Sequence, residues 1–163
     1  MPALSDLNNA MRTGNVAEFE KIARAHPELL YDEDGWEQWL NIAANRGLLP
    51  FVELLVSLGV DVNAPSGDQP DDTALDRAAH EGHLDIVRWL LDHGANVNFT
   101  IKKEVRCSAL TGAIVKGHID VVKLLVERGA DVNATGGSAT PLGYATQYKR
   151  TEIADLLRSA GAK

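Results

Sequence analysis

Apolar residues in this chain fall into short helical stripes punctuated by glycine. Between about His83 and His93, Leu84, Ile86, Val87, Leu90 and Leu91 recur at three-to-four spacing, which predicts a helix with one broad buried side. Just upstream, Thr73 is of the type that caps helix N-termini, so Ala74-Leu75 starts a shorter helix running to Glu81. Gly82 ends that helix in the left-handed conformation, and Gly94 closes the second helix in the same way. Ala95-Asn96-Val97-Asn98 then leads into an extended turn. The predicted unit is helix, tight turn, helix, projecting turn.

That unit recurs. Gly47, Gly82 and Gly117 are 35 residues apart (82−47, 117−82), within Ala43-Ala44-Asn45-Arg46-Gly47, Ala78-Ala79-His80-Glu81-Gly82-His83 and Ala113-Ile114-Val115-Lys116-Gly117-His118. A second glycine follows in Gly59-Val60-Asp61-Val62-Asn63, Gly94-Ala95-Asn96-Val97-Asn98 and Gly129-Ala130-Asp131-Val132-Asn133. Repetition at this period predicts a solenoid, in which no unit buries its apolar face alone.

The text from Thr73 to Asn98 resembles the ankyrin repeat consensus along its whole length, and so does Ser108 to Asn133. The resemblance implies an all-α fold: an L-shaped stack of antiparallel helix pairs with hairpin fingers at right angles. Fingers and inner helices would form a concave binding face. Five units fit the chain as one domain, at about residues 5–34, 35–69, 70–104, 105–136 and 137–163. In the last unit, Ala154 and Arg158 stand where Val122 and Val126 stand one unit earlier. In the first, Glu18 and Lys21 stand where Ile86 and Trp89 stand in the third. Small or charged residues at those places are expected of caps, and predict a complete array.

Two turns exceed the family's usual length of about eight steps. Asn63 to Thr73 and Asn98 to Ser108 are ten steps each, whereas Asn133 to Thr140 is seven. The first long finger is acidic, with Asp68, Asp71 and Asp72, and is stiffened by Pro65 and Pro70. The second, Phe99 to Cys107, alternates apolar and polar residues, which predicts a β-hairpin arm with Phe99, Ile101 and Val105 on one side and Lys102 and Arg106 on the other. That apolar side either meets a partner or packs on neighbouring fingers. Trp36 and Trp39 share a helix side at the start of the second unit. Each is either a surface anchor or a core residue, Trp39 standing in a slot that proline often holds in this family. Arg77 stands where the family usually carries leucine. It has four readings: use of the space left by Gly112, an ion pair with Glu81, stacking on a neighbouring ring, or extension into solvent along its apolar stem.

Charge is unevenly spread over a net −7. Residues 1–98 hold seventeen acidic and six basic residues, and residues 99–163 six acidic and ten basic. In a solenoid, order along the chain is order in space, so the molecule is an electric dipole along its length. With 45% hydrophobic and 24% charged residues the composition is that of an ordinary globular domain. No apolar run is long enough for a bilayer, and Met1–Asn15 lacks a signal-peptide layout, so a cytoplasmic protein is expected. A single cysteine, Cys107, gives no disulfide framework.

Residue patterns for chemistry are weak. His80, His83 and His118 lack the further ligands of a closed zinc shell, and the family uses the histidine of its Gly-His step as a hydrogen-bond anchor. Asp32-Glu33-Asp34 and Asp71-Asp72 lack calcium-loop spacing. No phosphate loop, dinucleotide fingerprint or nucleophile motif is present, and Lys102-Lys103-Arg106 is too small a basic patch for nucleic acid. No cofactor or metal and no enzymatic activity are expected. The expected role is protein recognition by a free monomer. The partner surface is basic, and the action is occlusion as an adaptor, inhibitor or immunity protein. The alternative is a self-associating scaffold. Expected partner contacts are Asp32, Asp34, Trp36 and Trp39; Arg46, His80, Glu81, Lys116 and Tyr148; Asp68, Asp71 and Asp72; and Phe99, Ile101, Lys102 and Arg106.

Overall fold

Helix ends set the architecture, and they repeat. The computed structural model describes residues 2–30, 39–65, 72–99, 109–135 and 139–163. These form five consecutive helix pairs: α1 (Pro2–Thr13) with α2 (Val16–Ala25), α3 (Trp39–Asn45) with α4 (Leu49–Ser57), α5 (Ala74–Glu81) with α6 (Leu84–Asp92), α7 (Ala109–Lys116) with α8 (Ile119–Glu127), and α9 (Pro141–Gln147) with α10 (Thr151–Ser159). A 3-10 turn spans Pro27–Leu30. Among the described residues there is no strand, so the all-α reading holds for them.

Each pair folds back through one hydrogen bond. The N–H groups of Asn15, Leu48, His83, His118 and Arg150 donate to the carbonyls of Ala10, Ala43, Ala78, Ala113 and Ala145 at 2.7–2.9 Å. This is the six-to-one bond that closes a helix through a left-handed residue. Gly82 has φ 83° there, as its position in the sequence predicts. Thr73 caps α5 as expected: its side chain accepts from the Asp76 N–H, and the Asp76 carboxylate accepts from the Thr73 N–H at 2.8 Å, a reciprocal capping box.

The core is built from the same positions in successive pairs. Leu40, Leu75 and Leu110 are buried in the first helices, and Leu55, Leu90, Leu125 and Leu157 in the second. Each such side chain contributes about 1.5–3 kcal/mol by leaving water. First helices pack closely from α3 through α5 and α7 to α9, while second helices contact one another less.

The first two pairs are joined by aromatic rings. Phe19 of α2 meets Trp39 of α3 edge-on at 5.5 Å between centroids and Phe51 of α4 at 5.3 Å. Trp39 is only 5% exposed, and its indole N–H donates to the Leu29 carbonyl at 2.8 Å. It is thus a core residue and is removed from the expected partner contacts. Ala154 is likewise buried, at 4% exposure, and not on an outer face as a cap residue would be. The outer surface of the last pair instead carries exposed Thr146, where buried Ile114 stands one unit earlier, and Arg158 paired with Asp155 at 2.7 Å. At the other end, Glu18 and Lys21 are exposed and 3.5 Å apart. Among the described residues no helix is long and apolar enough to cross a membrane.

Candidate interaction surface

Two hydrogen-bond ladders align the pairs and so position everything on their surface. In the first, the imidazole Nε2–H of His83 donates to the Asn45 carbonyl at 3.0 Å, and that of His118 to the His80 carbonyl at 3.1 Å. A carbonyl accepts only, so each ring carries its proton on Nε2. The anchoring role that the resemblance implies for the Gly-His step is therefore present. In the last pair Arg150 replaces the imidazole: one guanidinium nitrogen donates to the Val115 carbonyl at 2.9 Å and the Lys116 carbonyl at 3.0 Å.

The second ladder runs through the asparagines of the Val-Asn steps. Each side-chain amide donates to the carbonyl of the next unit's glycine and accepts from an N–H two residues on. Asn63 bridges Gly94 and Asn96, Asn98 bridges Gly129 and Asp131, and Asn133 bridges Gly161 and Lys163. Distances run from 2.8 to 3.2 Å. Sequence reasoning missed this ladder, although its signal was the recurrence of asparagine at one place in three units.

Side chains left outside these ladders form a row on the first-helix side. Arg46, Glu81 and Lys116 stand at equivalent places beside the unit glycines, Tyr148 takes that place in the last pair, and all four are exposed. Tyr148 is 44% exposed. His80, half-buried, bonds through Nδ1 to the Glu81 carboxylate at 2.8 Å. That bond is the main reason the Glu81 carboxyl is held below the usual range, with the charges of His80, Lys116 and His83 adding to it. Arg77 pairs with Asp72 at 2.8 Å and not with Glu81. The space beside Gly112 is taken by the His80 Cβ, 3.4 Å from where a Cβ on Gly112 would stand, and not by Arg77.

Among the described residues, Asp76 is the buried acidic group. Burial pushes its carboxyl up to about 7, against the opposing pull of hydrogen bonds from Thr73 and from the Ala109 N–H, and Asp72 adds a like charge. Asp76 therefore ties the starts of α5 and α7. The residue is structural, because it sits inside the stack.

Among the expected contacts, Arg46, Asp72, His80, Glu81, Lys116 and Tyr148 lie at the surface or half-buried, and Phe99 is half-buried with its N–H bonded to the Asn96 carbonyl at 3.1 Å. Asp32, Asp34, Trp36, Asp68, Asp71, Ile101, Lys102 and Arg106 lie outside the described residues. Among the described residues no three His, Cys, Asp or Glu side chains converge on a point that would hold a metal ion.

The family model described as "Ankyrin repeats (3 copies)" matches residues 7–101 and again residues 100–163. The chain therefore belongs to the ankyrin repeat family, whose members are generally protein–protein interaction modules. No individual curated protein matches it significantly.

Proposed function

We propose that this ankyrin-repeat chain is a non-catalytic recognition module that holds a partner protein against its first-helix side and projecting turns. The observation that carries the reading is the row Arg46, Glu81, Lys116 and Tyr148. These four side chains are exposed at one place in successive units, while the hydrogen bonds that align the units are made by other side chains and by backbone groups. They are free to vary with the partner, as a recognition surface requires.

Charge favours a basic surface on the partner facing the first three units. Residues 31–37 hold Asp32, Glu33, Asp34 and Glu37, and residues 68–72 hold Asp68, Asp71 and Asp72. Such complementarity chiefly accelerates association and selects partners. The proposed action is occlusion by a monomer in the cytoplasm, a reducing compartment that the single cysteine fits.

The test is affinity capture from the native source, followed by association kinetics of the captured protein across ionic strength. The association rate falls as salt rises, and falls further when Asp68, Asp71 and Asp72 are neutralised. A rate independent of both salt and these residues contradicts the acidic-face reading.

A further inference from the structure

The last pair departs from the others at one backbone position. Gly14, Gly47, Gly82 and Gly117 occupy the left-handed residue between first and second helix, but the equivalent residue in the last pair is Lys149, with φ 56°. Lysine enters this region only against the clash of its Cβ with the backbone, and such outliers concentrate where a side chain has work to do. A glycine would make the turn without that strain, so the turn itself does not call for lysine.

Its surroundings are cationic and aromatic. Tyr148 precedes it, and Lys116 lies across the inter-unit step, fixed there by the Arg150 bond to the Lys116 carbonyl at 3.0 Å. Lys116, Tyr148 and Lys149 are all exposed. Most cations on the second helices are paired, Lys21 with Glu18, Arg24 with Glu20, Lys123 with Asp120 and Arg158 with Asp155, and Arg128 just after α8 pairs with Asp92. Neither Lys116 nor Lys149 is in an ion pair with a described residue. Glu81 bounds the patch on its N-terminal side, near enough to Lys116 to feel its charge.

We infer that Lys116, Tyr148 and Lys149 form a subsite for a short acidic segment, Asp- or Glu-bearing, of the partner protein. Two ammonium groups take carboxylates, and the tyrosine ring covers the segment's aliphatic stems while its hydroxyl stays wet. A net charge of −7 and the adjoining Glu81 disfavour a long polyanion, so a protein segment is favoured over nucleic acid. The inference rests on the proposed recognition role and adds direction to it. The partner's basic part meets the first three units and its acidic part meets the last two.

The test uses the full chain, isotopically labelled, with blocked pentaglutamate as the probe and amide chemical shifts as the readout. Pentaglutamate shifts the amides of residues 115–118 and 147–151 first. Lys149→Gly, which removes the strained side chain and keeps the turn, weakens that binding about threefold to fivefold. Lys123→Ala, on a second helix, leaves it unchanged. Shifts spread evenly over the molecule, equal binding by Lys149→Gly and wild type, or stronger binding of an oligothymidylate than of pentaglutamate overturns the inference. Pentalysine, added separately, tests the acidic units: its failure to bind sinks the basic-partner reading and leaves the acidic-segment subsite standing.

Discussion

The imidazole of His118 fills the place where Gly82 lacks a side chain: a Cβ on Gly82 would lie 2.6 Å from the ring's Cε1 and Nδ1. The same glycine needs φ 83°, so it answers two demands at once, one from its own turn and one from the next unit. Gly82→Ala therefore costs the backbone strain of about 1–2 kcal/mol and also displaces the imidazole. His118→Ala costs about 1 kcal/mol through the bond lost to the His80 carbonyl. In the double variant the steric part of the alanine's cost disappears, so the two losses sum to more than the combined loss. Urea unfolding of the four proteins measures this coupling, and strict additivity would disprove the shared space.

Lys149→Gly should stabilise the protein by about 0.5–1 kcal/mol, because the strain of a lysine in the left-handed region exceeds the added chain entropy of glycine. A rise in thermal midpoint is the expected readout. A fall would show that the lysine side chain supports the fold.

Asp76 makes stability depend on pH. Its folded pKa of about 7 lies above the ordinary 3.8, so the folded protein keeps a proton that the unfolded chain has released. By linkage, the contribution of Asp76 to stability is greatest at low pH, falls as pH rises between those values, and is level above about 7. Asp76→Asn keeps an acceptor for the Thr73 N–H and has no proton to lose. Its stability relative to wild type should improve steadily over that window. Parallel stability curves for the two proteins would contradict the assignment.

Trp39 is predicted to matter for folding and not directly for binding. Trp39→Phe loses the bond to the Leu29 carbonyl at about 1 kcal/mol, and Trp39→Ala loses about 3–5 kcal/mol by emptying the space against Phe19. Partner affinity of correctly folded Trp39→Phe should match wild type.

What the sequence disclosed was local. The stripe Leu84, Ile86, Val87, Leu90 and the glycines at 82 and 94 place the helices because periodicity and backbone handedness act within one unit. The position of Trp39 depends on Phe19, some twenty residues away in another unit, and no spacing within its own unit distinguishes core from surface. Arg77 likewise turned to Asp72, just before its helix, and not to Glu81 one turn ahead. Arg150 was legible in principle, since it aligns with His118 as Ala145 aligns with Ala113. Reading it required seeing that a guanidinium and an imidazole can donate to the same carbonyls. The acidic finger and the 99–107 arm fall largely outside the described residues, so their share of the surface stands on sequence alone.

The most direct measurement is the hydrogen-exchange footprint of the complex with the captured partner. Slowed exchange around Arg46, Glu81, Lys116 and Tyr148, with the second-helix surfaces around Glu53, Arg88 and Lys123 unchanged, is the predicted result. Protection confined to those second-helix surfaces would contradict it.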